Sequence, residues 1–176
     1  MRPCYSPPNG EPPAHYQERA SAALVEARED MQQLEEVLTI YAEGLEQHPN
    51  DPALLSNRAQ LLASLGRYEE AKSDLDVLQE GELHVEGMLL RCMVHERLEE
   101  ATAETLACYE EVENAYASDA SDHPDANHIL AARLAESPEV EALLREWRES
   151  DDPMKNLMLE EMLEMNREEL IRQLLP

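Results

Sequence analysis

The sequence predicts an all-α protein in which antiparallel pairs of helices stack on one another. Its 176 residues include no Phe, 1 Trp and 5 Gly, and runs of Ala, Leu, Glu and Arg favour helices over strands. Apolar residues recur at helical spacing along most of the chain. The clearest segment, residues 49–78, indicates two short amphipathic helices around a turn. Because two helices of this length cannot bury their apolar faces alone, they need neighbours to pack on.

This segment has the start and turn signals of a helix pair. Asp51 is a good N-cap residue, and Pro52 suits the first helical turn, where its missing N–H would have no partner anyway. Gly66 tolerates the positive φ that the turn between two helices requires. We therefore expect one helix over about 52–65 and a second over about 68–79.

The rest of the chain divides by the same signals. Clustered prolines in residues 1–14 predict a disordered tail ahead of a single helical domain over residues 15–176. Residues 15–48 predict two helices that join near 31–33, or one bent helix, because no Gly or Pro marks the junction. Further helices are expected over five ranges, the last of them one long helix or a tight pair: about 83–98, 103–117, 126–136, 138–149 and 153–175.

The charge restricts the classes of partner. The formal net charge is −25, from 39 acidic and 14 basic residues, whereas binding to a phosphate backbone relies on Lys and Arg. We therefore expect neither nucleic acid nor an anionic membrane as a partner. Such a surface is either simply well solvated or suited to a basic protein partner. No segment resembles a signal peptide or a membrane span, so a cytoplasmic location is expected.

Catalytic and metal-binding signals are weak. Cys4, Cys92 and Cys108 are odd in number and widely spaced, so the sequence predicts neither a disulfide framework nor a zinc site. Cys92 and Cys108 are expected to be small buried apolar residues. The Asp- and His-containing segment 122–128 is better explained by turn and capping chemistry than by a metal. The acidic pairs are adjacent in sequence and indicate solvated helix faces, so no cofactor and no enzymatic activity is predicted.

The segment 52–85 resembles a tetratricopeptide repeat, a helix-turn-helix unit of about 34 residues. Leu55 and Arg58 stand where that family usually has Trp and Leu. Steps of 34 residues suggest repeats over about 18–51, 52–85 and 86–119, a degenerate pair over 126–149 and a capping helix over 153–175. The resemblance implies a short right-handed α-solenoid. The residues on which it rests are Ala59, Leu62, Gly66, Tyr68, Ala71, Leu75 and Leu78.

In this family the first helices of successive repeats line a concave groove that binds a peptide or a partner helix. One well-known groove clamps an acidic C-terminal carboxylate, and here Asn57, Arg91 and Arg19 fall on such positions. Ala23 and Gly87, however, stand where the clamp has Asn and Lys, so we do not expect an acidic tail as the ligand. By position, the resemblance implies these groove residues: Arg19, Ala23, Glu26, Ser56, Asn57, Gln60, Leu90, Arg91 and Val94.

Three functions follow as alternatives, none of them enzymatic. The first is a small acidic chaperone or adaptor that binds a protein partner in the groove. The second is an immunity or inhibitor protein whose acidic surface neutralises a basic toxin such as a nuclease. The third is a scaffold subunit of an obligate assembly, and the sequence leaves monomer and homodimer open. The Met-rich segment 153–175 either caps the stack or binds a partner itself.

Overall fold

The structure, a computed structural model, describes residues 10–78, 82–118, 124–149 and 153–176, the side chains of 153–156 excepted. These residues form ten α-helices and no strand, which confirms the all-α prediction. Within them, no helix is both long and apolar enough to cross a membrane. The helices are α1 Pro13–Ala27, α2 Met31–Gln47, α3 Pro52–Ser64, α4 Tyr68–Val77, α5 Val85–Glu99, α6 Ala103–Ser118, α7 Ala126–Leu134, α8 Val140–Arg148, α9 Pro153–Glu164 and α10 Arg167–Leu174.

The chain breaks between α1 and α2 where the sequence left two interpretations open. Arg28 has a φ of 51°, which ends α1, and the Asp30 side chain accepts a hydrogen bond of 3.0 Å from the Gln33 backbone N–H, which starts α2. Two helices are therefore present rather than one bent helix. Helix α1 begins at Pro13, so the predicted disordered tail extends too far, and residues 1–9 lie outside the described part.

The α3–α4 pair follows the predicted signals closely. Asp51 accepts a hydrogen bond of 2.9 Å from the backbone N–H of Leu54, with Pro52 in the first turn of α3. Gly66 has a φ of 72° in the turn that leads to α4. The observed bounds differ from the predicted ones by only one or two residues, because local capping chemistry determines both ends.

Consecutive helices pack side by side and then onto the next pair, in the order of a solenoid. The first helices of the pairs, α1, α3, α5 and α7, also contact one another in succession. Within the described residues, α2, α4 and α6 contact one another less extensively. The row of first helices is therefore the inner side of the stack, and the second helices form its outer side.

Helix α5 separates two apolar cores. The core of α1–α5 contains Leu54, Ala59 and Leu75, all fully buried, and Val94 of α5 belongs to it. Leu89 and Cys92 on another side of α5 belong to the core of α5–α10. Burial of this kind stabilises the fold by about 25 cal/mol per Å² of apolar surface removed from water. The second core includes Tyr109, Val112, Ile129, Leu134 and Leu170.

Helix α1 buries a different face from the predicted one. Val25, placed on a repeat position by the 34-residue step, is 79% exposed, and Leu24 is 39% exposed. Tyr16, Ala20 and Ala27 are buried instead. Their spacing of 4 and 7 residues is also helical, but it rotates α1 about its axis relative to the prediction. The predicted register is therefore wrong for α1.

The last segment is a tight pair and not one capping helix. Asn166 starts α10 with a capping box, since its side chain accepts from the Glu169 N–H at 3.0 Å and the Glu169 side chain accepts in return at 3.2 Å. Helix α9 contacts α7 and α8 at the end of the stack, whereas α10 folds back onto α5. Leu175 is buried in the core of α1–α5, and the Tyr68 hydroxyl donates to the carbonyls of Leu175 and Pro176.

A buried polar network holds α10 against α5. Arg167 donates to Glu96 through Nε at 2.6 Å and through NH2 at 3.1 Å, and it also donates to the Leu134 carbonyl at 2.8 Å. The Tyr109 hydroxyl donates to Glu96 Oε2 at 2.8 Å. Burial and the neighbouring Glu96 carboxylate raise the pKa of Tyr109 well above its usual value. All four groups are satisfied by one another in a region shielded from water.

Candidate partner-binding face

The inner side of α3 presents three polar side chains. Ser56 and Asn57 are half-buried and Gln60 is exposed. Residues three and four positions apart lie on one face of a helix, so these three share a face. Within the described residues, no hydrogen bond or ion pair involves their side chains. Their donors and acceptors are therefore free to bind a ligand.

The inner side of α5 continues this surface. A Cβ atom added at Gly87 would lie 3.7 Å from the Ser56 Oγ, so the start of α5 closely approaches α3. Leu90 is half-buried and packs partly on the core of α1–α5. Arg91 is half-buried, and its guanidinium has no ion-pair partner in the described part of the chain. The structure thus brings two neighbouring elements with predicted groove residues together. We call Ser56, Asn57, Gln60, Leu90 and Arg91 the inner face.

Val94 does not belong to this surface. The resemblance implied that it lines the groove, but it is fully buried in the core of α1–α5. The implied position is wrong because α5 lies between two cores and turns this side chain inward.

The predicted groove residues of α1 have different surroundings. Arg19 lies with its guanidinium carbon 5.8 Å from the centre of the Tyr16 ring, and it donates to Glu43 of α2 at 3.0 Å. Glu26 is exposed and lines a cleft with Ala23 near the α1–α2 turn. Both side chains are thus set on α1 and α2, and their role in binding stays a prediction.

The C-terminal half of α5 is covered by α10. Arg97 and Leu98 line a cavity of about 580 Å³ together with Ile171 and Arg172. The Arg97 guanidinium lies 5.3 Å from the centre of the Tyr68 ring, a cation–π distance. The open part of the inner side is therefore α3 and the N-terminal half of α5, which is the inner face defined above.

Arg58, which departs from the family pattern, has a partner that the sequence did not reveal. Its Nε and NH2 donate to the two carboxylate oxygens of Asp74 at 2.7 and 2.5 Å, and Asp74 is only 5% exposed. The hydrogen bond to Asp74 raises the pKa of Arg58, despite the opposing effect of burial. The unusual Arg is compensated by a buried Asp of the second helix of the pair.

The prediction for Cys92 and Cys108 is wrong, because the two residues form a disulfide that joins α5 to α6. Their Cα atoms are 5.8 Å apart although 16 residues separate them in sequence. An antiparallel helix pair brings such positions to the same level. The Arg58–Asp74 ion pair has the same separation of 16 residues, and it lies 34 residues earlier. That offset was the one signal in the sequence that pointed to the disulfide.

Cys108 also lines a cavity of about 310 Å³ beside the inner face. Arg91 lines the same cavity, as does His95, whose Nε2 lies 3.0 Å from Asp76 Oδ1. Burial would raise the pKa of Asp76, but hydrogen bonds from Lys72 and His95 outweigh it and hold the pKa below its usual value. The cavity therefore combines a fixed ion-pair network with one edge of the disulfide.

The described part of segment 122–128 shows capping. The Asp125 side chain accepts from the His128 N–H at 2.8 Å and starts α7. The His128 ring stacks on Tyr116 at a centroid distance of 5.6 Å, while residues 122 and 123 lie outside the described residues. No group of three His, Cys, Asp or Glu residues suited to a metal occurs in the part of the chain that the structure describes.

Stacked helix pairs, a turn glycine with positive φ and a row of first helices on the inner side define a helical-repeat protein of the solenoid class. The family model of the tetratricopeptide repeat matches residues 40–73, from the second half of α2 through most of α4. The chain therefore contains a tetratricopeptide repeat, as predicted from residues 52–85. That it contains three of them stays a prediction. No curated protein and no solved structure matches the chain.

Proposed function

We propose that this protein is a non-enzymatic binding module that holds a protein or peptide partner on its inner face. The observation that carries the proposal is that Ser56, Asn57, Gln60 and Arg91 offer polar groups without intramolecular partners on two adjacent first helices. These helices lie in and directly after a tetratricopeptide repeat, a fold that serves protein–protein interaction. Leu90 adds apolar surface between the polar groups.

A chaperone or adaptor is the first form of this proposal. The inner face presents amides, a hydroxyl and one guanidinium, which suit the main-chain and side-chain polar groups of an extended peptide or helix. Fixed helices hold these groups in place before binding, so little conformational entropy is lost on their side.

An immunity or inhibitor protein is the second form, and the net charge of −25 favours it. A basic partner would be attracted over a distance of about 10 Å at ordinary ionic strength, which speeds association. In this form the acidic surface, and not only the inner face, would contact the partner. A scaffold subunit of an obligate assembly is the remaining form, and light scattering of the purified chain would identify a self-assembling version.

The inner face is tested by affinity capture from the source cells with three variants of the full chain. Asn57→Ala/Arg91→Ala removes two side chains that have no intramolecular partner, so the fold should be preserved. Arg145→Ala, an exposed arginine of α8, is the matched control for loss of one positive charge. We expect one stable partner to be recovered by the wild type and by the control, and at least tenfold less by the double variant. Equal recovery by all three proteins would place the partner elsewhere.

The two forms are then separated by salt. With the partner purified, association rates are measured at about 0.05 and 0.5 M salt, which changes the screening length several-fold. A chaperone or adaptor should bind with similar rates at both concentrations. An inhibitor of a basic protein should associate at least tenfold more slowly at high salt.

A further inference from the structure

We propose that the Cys92–Cys108 disulfide is a reversible thiol–disulfide exchange site, entered at the Cys108 sulfur by a dithiol reductant. This inference concerns the pair itself and does not depend on the proposed partner face. The alternative is an inert structural disulfide that opens only when the protein unfolds.

The position of the disulfide in the fold is the first argument. The preceding helix pair is joined at the corresponding positions by Arg58 and Asp74, 34 residues earlier, and that link is not covalent. Helices α5 and α6 are moreover packed through Leu89, Tyr109 and Val112 in the second core. A helix pair of this architecture therefore does not need a covalent link at this level, and the reduced protein should keep its fold. Two thiols are small apolar groups that such a site accommodates.

The unequal exposure of the two sulfurs is the second argument. Cys92 is fully buried, whereas Cys108 is half-buried and lines the cavity of about 310 Å³ beside α4 and α5. An attacking thiolate can therefore reach one sulfur of the pair without any unfolding. Thiol–disulfide exchange requires such access to the attacked sulfur.

Charge indicates which reductant enters. Arg91 and His95 line the cavity, but so do the carboxylates of Asp76, Glu99 and Glu104, and the whole chain carries a net charge of −25. An anionic thiol such as glutathione is repelled by this surface. A neutral dithiol, or a protein dithiol whose surface is basic, is not.

The reaction balances as two exchange steps. The thiolate of the reductant forms a bond with the Cys108 sulfur, the Cys92–Cys108 bond breaks, and Cys92 leaves as a thiolate that takes the proton released by the attacking thiol. The second thiol of the reductant then attacks its own sulfur in the mixed disulfide. Cys108 leaves as a thiol, the reductant becomes a cyclic or intramolecular disulfide, and two electrons and two protons have moved to the protein.

The first test compares the two sulfurs. In a Cys4→Ser background, Cys92→Ser leaves only Cys108 and Cys108→Ser leaves only Cys92, and each thiol is titrated with a neutral disulfide reagent under native conditions. We expect Cys108 to react at least tenfold faster than Cys92, because only Cys108 borders the cavity. Equal rates, or a faster Cys92, would overturn the assignment of the entry point. Far-UV circular dichroism verifies that both variants are folded.

The second test uses the intact pair and does not depend on those variants. The Cys4→Ser protein is incubated with dithiothreitol or with glutathione at equal thiol concentration, and reduction is followed by alkylation and mass measurement. We expect dithiothreitol to reduce the native protein at a rate that low urea concentrations leave unchanged, several-fold faster than glutathione, with full helicity retained and reoxidation by air. A rate that rises with urea in parallel with unfolding would show an inert structural disulfide and overturn the proposal.

Discussion

Arg58 donates two hydrogen bonds to Asp74, at 2.7 and 2.5 Å, and so joins α3 to α4 at a buried level. Cys92 and Cys108 join α5 to α6 at the corresponding level, since each cysteine follows its counterpart by 34 residues. Two consecutive helix pairs thus place chemically different links at the same positions. This equivalence supports a common 34-residue register for the two pairs, which the apolar pattern alone left less clear in the second.

Removal of Arg58 should destabilise the protein more than removal of both partners. Arg58→Leu leaves the Asp74 carboxylate buried without its counter-charge, and we expect the free energy of unfolding to fall by about 3 kcal/mol. Arg58→Leu/Asp74→Leu replaces both charges with apolar groups and should recover most of this loss. Urea unfolding followed by circular dichroism measures both values. A double variant as unstable as the single one would show that the pair itself, and not the uncompensated charge, supplies the stability.

The shared register predicts that the two links can be exchanged. Arg58→Cys/Asp74→Cys should form a second disulfide on oxidation, because the equivalent Cα atoms of the next pair lie 5.8 Å apart, within the range of natural disulfides. Mass measurement after alkylation in denaturant would count the remaining thiols. As a control, Arg58→Cys/Ser73→Cys places the second thiol on the exposed side of α4 and should stay reduced. Two free thiols in the first variant would contradict the equivalence.

The return of the chain onto the first core should contribute substantially to stability. Leu175 is 5% exposed in the core of α1–α5, and Leu175→Ala should lower the free energy of unfolding by about 2–4 kcal/mol. Gln173→Ala, at an exposed position of α10, is the matched control and should change it by less than about 0.5 kcal/mol. Urea unfolding of the full chain provides the measurement. Equal stabilities of the two variants would show that the terminal segment does not pack on this core.

Stability should decrease in alkaline solution because of buried tyrosines. Burial and Glu96 raise the pKa of Tyr109 in the folded protein, whereas an unfolded tyrosine ionises near pH 10. The stabilising contribution is therefore present below about pH 10 and is lost as the pH rises above it. Tyr116 and Tyr41, whose pKa values burial also raises, act in the same direction.

Tyr109→Phe isolates one of these contributions. The difference in unfolding free energy between wild type and variant should shrink by about 1.4 kcal/mol between pH 8 and pH 11, because only the wild type loses the contribution of this tyrosine. Unfolding in urea at the two pH values measures it. A difference that stays constant would mean that Tyr109 ionises equally easily in the folded and unfolded chain.

The features that the sequence predicted well depend on short-range chemistry. Asp51 and Gly66 fix the limits of the α3–α4 pair through a cap and a positive φ, both of which act within a few residues. The spacing of Leu55, Ala59 and Leu62 predicts a buried face that depends only on helical periodicity, and all three are buried. The inner positions of α3 followed from the same register.

The features that the sequence missed depend on contacts between distant residues. A separation of 16 residues gives no local signal, so neither Asp74 as the partner of Arg58 nor the Cys92–Cys108 disulfide was predicted. The rotation of α1 was missed because Val25 and Ala20 both fit helical stripes, and packing decides between them. The return of α10 was missed because a capping helix and a returning helix have the same amphipathic pattern.

The contact between Tyr68 and Leu175 joins residues 107 positions apart in a chain whose other packing is mostly between neighbouring helices. Stacks of repeats with only neighbour contacts have low contact order, can start folding anywhere and lose cooperativity as they lengthen. Here the second half of the chain must be complete before the last segment can seal the first half. We therefore expect this protein to fold more slowly than an open stack of equal length, and to unfold as a single unit rather than one helix pair at a time.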